Sequence, residues 1–279
     1  MKHRRTVIKR VTGQATQDGA GVKLTRILGS QQLSMLDPFL MLDCFESDQP
    51  DDYLAGFPEH PHRGFQTVSY ILNGKMRHKD SVGNEGVIEA GGVQWMSAGR
   101  GVIHSEMPEQ QDGLLKGFQL WINLPAAQKM SAPSYQEFSA EQIPQSRDLQ
   151  GNLIRVIAGE LADGTQGPVQ VVHQTATYLD ISMVAGGQLQ LDLVQSQQAF
   201  IYVIEGQLQV ADDPEPLNAY QLAVLDFGEA LQLSSHSACR LLLVGAEPLN
   251  EPVAWGGPFV MNSREEVLQA FDDFQNNRF

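Results

Sequence analysis

The sequence predicts an all-β chain of two successive β-barrels, closed by a helix. Three observations carry this. Short strand patterns punctuated by glycine turns recur in two series, residues 5–124 and 152–245. The two series echo one another: Tyr70-Ile71-Leu72-Asn73-Gly74 returns as Tyr202-Val203-Ile204-Glu205-Gly206, 132 positions later. Between them, residues 125–150 lose apolar periodicity and hold Pro125, Pro133 and Pro144 among many Gln and Ser. The expected layout is an N-terminal barrel over 1–130, a connector over 131–151, and a C-terminal barrel over 152–279 that includes a helix at 263–275.

In chain order, weak alternation predicts strands at Arg5–Val11 and Val22–Ile27, and a short apolar run predicts a buried strand at Pro38–Phe45. An acidic loop follows at Asp48–Asp52. Strands are then expected at Thr67–Leu72, Lys75–Lys79, Gly86–Glu89 and Val93–Ser97. Asn73-Gly74 between two such patterns is a hairpin signal. Leu115–Leu124 reads as a strand stopped by Pro125. The second series is expected at Asn152–Gly159, Thr177–Val184, Leu189–Val194, Ala199–Glu205, Gln207–Val210, Tyr220–Leu225, Ala230–Ser234 and Arg240–Gly245. In the tail, Ser263 with Glu266 forms a capping-box pattern. Val267, Phe271 and Phe274 follow at helical spacing and need a surface to dock on.

The 279 residues suffice for two cores, and 42% hydrophobic content excludes a disordered chain. A net charge of −14 disfavours phosphate backbones, so no direct nucleic-acid partner is expected. The basic run Lys2, Arg4, Arg5, Lys9, Arg10 reads as a solvated first strand. Cys44 and Cys239 lie among apolar neighbours and read as buried thiols, not a disulfide framework. The start shows no signal-peptide pattern, and no apolar run spans a bilayer. A cytoplasmic protein with no membrane partner is expected.

Chemistry concentrates between His60 and Glu106. His60-Pro61-His62 opens this stretch and His104-Ser105-Glu106 closes it. On a strand, residues i and i+2 share a face, so each pair can point one way. If the strands face each other across a barrel, three imidazoles and a carboxylate converge. That donor set suits one divalent transition metal, Fe(II) first and Ni, Cu, Zn or Mn as alternatives, and not Ca²⁺ or Mg²⁺. The expected metal ligands are therefore His60, His62, His104 and Glu106. Carried rigidly, the internal offset takes His60 to Asp192, His62 to Val194, His104 to His236 and Glu106 to Ala238. The second half has no His-x-His, so one metal is expected, not two.

HPHRGFQTVSYILNG, QWMSAGRGVIHSEMP and GGPFVMNSREEVLQAF resemble the pirin family of the cupin superfamily across nearly the whole chain. The resemblance implies a bicupin, two jelly-roll β-barrel domains with the metal in the first. It also implies a metal-dependent quercetin 2,3-dioxygenase that cleaves flavonols with O₂. The alternative it implies is a metal-binding regulatory or protein-interaction module with a protein partner. A cupin isomerase or sugar-binding protein stands third. Glu106, the one carboxylate of the tetrad, is the expected catalytic residue. Relatives usually carry Glu where this chain has Gln66, which cannot act as a carboxylate base.

His78 and Asp80 form another i, i+2 pair, open to an acid/base reading but favoured as solvated surface residues. His173 and His236 read as structural. Gly99 and Gly101 suit a close approach of backbone to the site. Phe57, Phe65, Trp95, Met96 and Met107 flank the ligands and are expected to line an apolar pocket or fill the barrel.

Overall fold

The computed structural model describes residues 2–170 and 175–279, among which the chain forms twenty-four strands and a C-terminal helix. In chain order the strands are β1 (Val7–Thr12), β2 (Gln14–Asp18), β3 (Val22–Leu28), β4 (Phe39–Ser47), β5 (Phe57–His62), β6 (Phe65–Asn73), β7 (Lys75–Asp80), β8 (Glu85–Glu89), β9 (Val93–Ser97), β10 (Val102–Pro108), β11 (Leu115–Asn123) and β12 (Ser134–Phe138). They continue as β13 (Gln145–Arg147), β14 (Leu153–Ala158), β15 (Ala176–Met183), β16 (Gln188–Asp192), β17 (Gln198–Glu205), β18 (Gln207–Val210), β19 (Leu217–Asn218), β20 (Gln221–Leu225), β21 (Ala230–Ser234), β22 (Cys239–Ala246), β23 (Ala254–Gly256) and β24 (Phe259–Met261). Helix α1 spans Arg264–Gln275.

Two compact units result. One comprises Gln14–Ala140 with Leu249–Phe279; the other comprises Met1–Gly13 with Glu141–Pro248. We call them the histidine unit and the leucine unit after their interiors. Each terminus therefore belongs to the unit built by the opposite half of the chain, unlike the expected 1–130 and 152–279 division. The reason is edge pairing. β1 lies antiparallel on β20, with Val11 opposite Leu222, and closes the leucine unit's sheet. Hydrophobic periodicity reveals such a strand but not the edge it will join.

The histidine unit has a seven-stranded sheet ordered β12-β9-β6-β11-β4-β3-β2 and a four-stranded sheet ordered β5-β10-β7-β8. The leucine unit has β1-β20-β17-β22-β15-β14-β13 and β16-β21-β18-β19. The two orders correspond term by term, as expected of a duplicated jelly roll. Each unit is an open sandwich of two sheets rather than a closed barrel. In the leucine unit the core draws Ile201, Ala223 and Leu243 from the larger sheet and Leu191, Leu208 and Leu231 from the smaller. The central strand β17 is buried on both faces, which is why Ala199–Ile204 reads as a continuous apolar run, whereas the equally buried β6 carries the polar Gln66, Thr67 and Ser69. β16 buries only Leu189 and Leu191, which gives strict alternation.

The expected irregular connector at 131–151 in fact supplies one edge strand to each unit, β12 and β13. Pro133 and Pro144 precede them, at positions where an edge tolerates a missing N–H. Half-exposed strands of this kind carry little periodicity, so the pattern was silent there.

The tail docks within the histidine unit. Ser263 Oγ accepts from the Glu266 N–H at 3.2 Å, and Glu266 Oε2 accepts from the Ser263 N–H at 3.0 Å, so the capping box forms. Val267 and Ala270 are buried. The rings of Phe271, Phe274 and Phe279 surround Phe259 of β24 at 4.8, 6.4 and 5.6 Å. Both cysteines are buried thiols outside any disulfide, and burial pushes the Cys239 thiol up to about 11. Among the described residues, no helix is long and apolar enough to cross a membrane.

Candidate metal centre and pocket

β5 and β10 lie antiparallel with His104 directly opposite His60 and Val102 opposite His62. Alternation then turns both His60 and His62 inward beside His104. Ligand nitrogens of these three residues lie within 4.8 Å of one another, the one group of metal-ligand geometry among the described residues. Ring centroids are 4.4–4.9 Å apart.

The outer contacts fix which nitrogens face inward. His60 Nδ1 lies 2.7 Å from the Pro58 carbonyl. A carbonyl only accepts, so Nδ1 carries the proton and Nε2 a lone pair. That Nε2 faces His62 Nε2 at 3.1 Å. Two metal–nitrogen bonds of about 2.1 Å at right angles would place their nitrogens roughly 3 Å apart. His104 Nε2 is buried without a hydrogen-bond partner. Burial, then the neighbouring imidazoles, holds His62 and His104 well below the ordinary histidine pKa. Three imidazoles whose nitrogens converge, one of them orphaned, are a poor arrangement for a core and a good one for a borderline transition metal. The residues fit such an ion.

Glu106 is buried two residues further along β10. Ser69 Oγ donates to its Oε1 at 2.6 Å, and Gln119 Nε2 donates to its Oε2 at 2.5 Å. The carboxylate is thus gripped as an acceptor through both oxygens. A register shift in the β5–β10 pairing falls between His104 and Glu106, and the group of mutually close ligand atoms comprises the three imidazoles.

His78 and Asp80 are not surface residues: both side chains are buried, His78 completely. Facing inward on β7, they lie opposite Glu106 and His104 on β10. Gln66 is buried but does not line the pocket; its Oε1 accepts from Trp95 Nε1 at 2.9 Å. His236 sits exposed in a turn, and His173 lies outside the described residues. Gly64 (φ +89°) closes the HPHRG turn, and a Cβ there would fall on the Val260 carbonyl oxygen. Lys129 Nζ ties the same place together, donating to Gly64 O, Asn123 Oδ1 and Val260 O at 2.8, 2.5 and 2.9 Å. Gly101 makes room for the Phe279 ring rather than for the site.

A pocket of about 540 Å³ opens beside His60 and His62. Leu24, Met41, Phe45, Phe57, Trp121 and Trp255 supply apolar wall; Gln119 faces in with them. Trp121 and Trp255 stack at 5.8 Å, and Trp121 stacks on Phe65 at 4.2 Å. Of the five flanking residues expected to line the pocket or fill the barrel, Phe57 lines the pocket. Phe65 stands behind Trp121, Trp95 is engaged by Gln66, and Met96 packs with Ala98 and Val102. Met107 lies against Gly56. Sequence reasoning missed Ser69, Gln119, Trp121 and Trp255. Gln119 and Trp121 carry a weak signal, a polar and an aromatic residue at i, i+2 in a buried strand. Trp255 comes from the far end of the chain. At the rim, Arg26 makes two hydrogen bonds to Asp43, at 2.9 and 2.7 Å, and one to Asp18, at 2.8 Å.

Both halves match family models, Pirin over residues 21–122 and the pirin C-terminal cupin domain over 178–279. The fold is that of a two-domain cupin, and the chain belongs to the pirin family. A Caulobacter vibrioides pirin-like protein is 50% identical over 99% of each chain. A Pseudomonas aeruginosa relative, provisionally named a quercetin 2,3-dioxygenase, is 45% identical over 99% of this chain and 98% of its own. Among solved structures, the Acinetobacter baumannii quercetin 2,3-dioxygenase superposes with a TM-score of 0.91 at 33% identity, over 99% of each chain.

Proposed function

We propose that this protein is a metal-dependent dioxygenase of the pirin type that cleaves flavonols such as quercetin with O₂. The observation that carries the reading is the convergence of three imidazoles beside an aromatic-walled pocket. His60, His62 and His104 would hold one divalent transition metal, Fe(II) first, with Glu106 as the fourth ligand. When bound, such an ion supplies Lewis acidity and redox chemistry toward O₂.

The chain's own residues supply the rest. Trp121, Trp255, Met41 and Phe45 offer flat apolar surface to planar rings, and they exclude water around His60 and His62. Glu106 takes the proton of the flavonol 3-hydroxyl on one carboxylate oxygen. Ser69 and Gln119 donate to that carboxylate, one to each oxygen, and orient it. Residue 66, an amide bound to Trp95, supplies no second base there. Turnover is therefore slow unless Glu106 exchanges partners readily. Glu106→Gln is expected to lower turnover by about 10²-fold or more and to cost less in bound metal.

The test is metal analysis of protein purified without chelators or added metal, followed by flavonol assay of the same sample. Loss of quercetin absorbance, O₂ uptake and carbon monoxide release should run together, one O₂ consumed per CO. Metal-loaded protein with no turnover above free metal, on several flavonols, overturns the enzyme reading in favour of the protein-interaction alternative.

A further inference from the structure

His78 is used by nothing in the proposed chemistry, yet it is completely buried and held from four directions. Its Nε2 lies 3.3 Å from Asp80 Oδ2. Gln94 Nε2 lies 2.8 Å from its Nδ1. The Tyr135 ring stacks on its face at 4.7 Å. Its Nδ1 also lies 3.5 Å from His104 Nδ1. Asp80 is itself fixed: Oδ1 accepts from the backbone N–H groups of Val82 and Asn84 at 3.0 and 2.9 Å, and Oδ2 accepts from Asn84 Nδ2 at 2.8 Å.

With the Gln94 amide nitrogen turned to the ring, these contacts fit one arrangement of protons. A carboxylate accepts, so His78 carries its proton on Nε2 and a lone pair on Nδ1. That one lone pair receives the Gln94 amide at 2.8 Å and is shared, in a longer three-centre contact of 3.5 Å, with His104 Nδ1–H. With its proton on Nδ1, His104 presents a lone pair at Nε2, the buried atom that has no protein partner. We propose that His78, oriented by Asp80, is a positioning residue that holds His104 in its metal-binding tautomer and ring orientation. The turn between β7 and β8 therefore acts on the metal centre through two side chains. A buried carboxylate–histidine pair behind a ligating imidazole is the kind of outer contact whose loss costs metal affinity without removing a ligand.

The inference rests on the reading that the three imidazoles bind a metal, and the test separates the two. The full chain is stripped of metal and titrated with Co(II) against a competing chelator, and its visible spectrum recorded. Wild-type protein should bind one Co(II). His78→Phe, which cannot accept a hydrogen bond, should bind about 10–100-fold more weakly and shift the Co(II) absorption bands. His78→Gln, whose amide oxygen can accept from His104 Nδ1, should recover affinity and spectrum, a rescue that mere filling of space would not give. Wild-type affinity and spectrum in His78→Phe overturn the inference; a wild-type protein that binds no Co(II) overturns the metal reading beneath it. If metal-free His78→Phe does not fold by circular dichroism, Asp80→Asn replaces it. The Asn oxygen stays on the backbone N–H groups, so its amide donates to His78 and forces the proton to Nδ1, against two donors. Comparable weakening is expected there, and wild-type Co(II) binding by Asp80→Asn overturns the inference.

Discussion

The two sandwiches share a strand order and differ in what fills them. Pairing registers align them residue by residue. Counted from the shared hairpin frame of Tyr70 to Gly74 and Tyr202 to Gly206, His60 corresponds to Leu191, His104 to Leu231 and Glu106 to Leu233. His62 corresponds to Leu193. These replace the rigid-offset partners Asp192, His236, Ala238 and Val194, because loop lengths between strands differ in the two halves. The outer residues change as well: His78 corresponds to Val210, Ser69 to Ile201, Gln119 to Leu243 and Gln94 to Ala223. The comparison teaches that the candidate metal centre is a two-layer polar network set into an otherwise apolar sandwich. One unit holds that network, and the other fills the same volume with hydrocarbon.

The largest effect is expected from forcing the leucine unit to imitate its partner. Leu191→His, Leu193→His, Leu231→His and Leu233→Glu together should unfold that unit, since each loss of a buried leucine costs about 3 kcal/mol against a total stability of about 5–15 kcal/mol. Excess Co(II) should not rescue it, because Val210, Ile201 and Leu243 cannot orient the new ligands. Circular dichroism and metal counting check this. A second equivalent of Co(II) bound by a folded variant would show that four ligands suffice without an outer layer.

The reverse change sharpens the same point. His62→Leu with His104→Leu should abolish metal binding and turnover while leaving a folded protein. Its metal-free form should be at least as stable as the wild type, because leucine satisfies a buried site that an unpaired imidazole does not. Metal analysis and urea melts test both halves of the statement; stoichiometric metal in the variant would remove these residues from the site.

The units also differ in how they are closed. The histidine unit carries α1, and Arg63, beside His62, is paired with Asp273 at 2.7 Å and packed over Phe279 at 4.4 Å. The Arg63 guanidinium holds Asp273 down to about 2. Deleting residues 263–279 bares Phe259 and removes the buried Val267 and the partly buried Phe271 and Phe279. Full burial of three such side chains would be worth about 4–9 kcal/mol; with two of them only partly buried the loss should lie toward the lower end, and the truncated protein should aggregate. An unchanged Tm in a monodisperse sample would detach the tail from the unit's stability.

Much of this was legible because strands obey a two-residue period. His60 with His62, and His104 with Glu106, announce a shared inward face before any fold is known. The strand series and the capping box were legible for the same local reason. What stayed hidden depends on long-range pairing: that β1 and the tail join the opposite units, that Trp255 walls the pocket, and that Ser69 and Gln119 meet at Glu106 across neighbouring strands. His78 was misread as solvated because burial of β7 on one face is set by β10, which local alternation does not name.

The smallest expected difference is in pH dependence, and it separates the interiors without any metal present. His62 and His104 are held well below the ordinary histidine pKa, chiefly by burial, and no leucine titrates. In the unfolded chain the same histidines protonate at about 6.5. Below that value the unfolded state binds more protons than the native state, so stability falls as pH drops. Above it both states are neutral and these residues contribute no slope. Each contributes at most about 1.4 kcal/mol per pH unit, so from pH 7.5 to 5.5 the pair should cost metal-free wild type about 2–3 kcal/mol. The His62→Leu, His104→Leu variant lacks both groups and should lose correspondingly less over the same range. Urea melts of chelator-treated protein at the two pH values measure the difference directly. Parallel losses in the two proteins would mean that these imidazoles titrate normally in the native state, and that their burial is looser than a preformed metal centre requires.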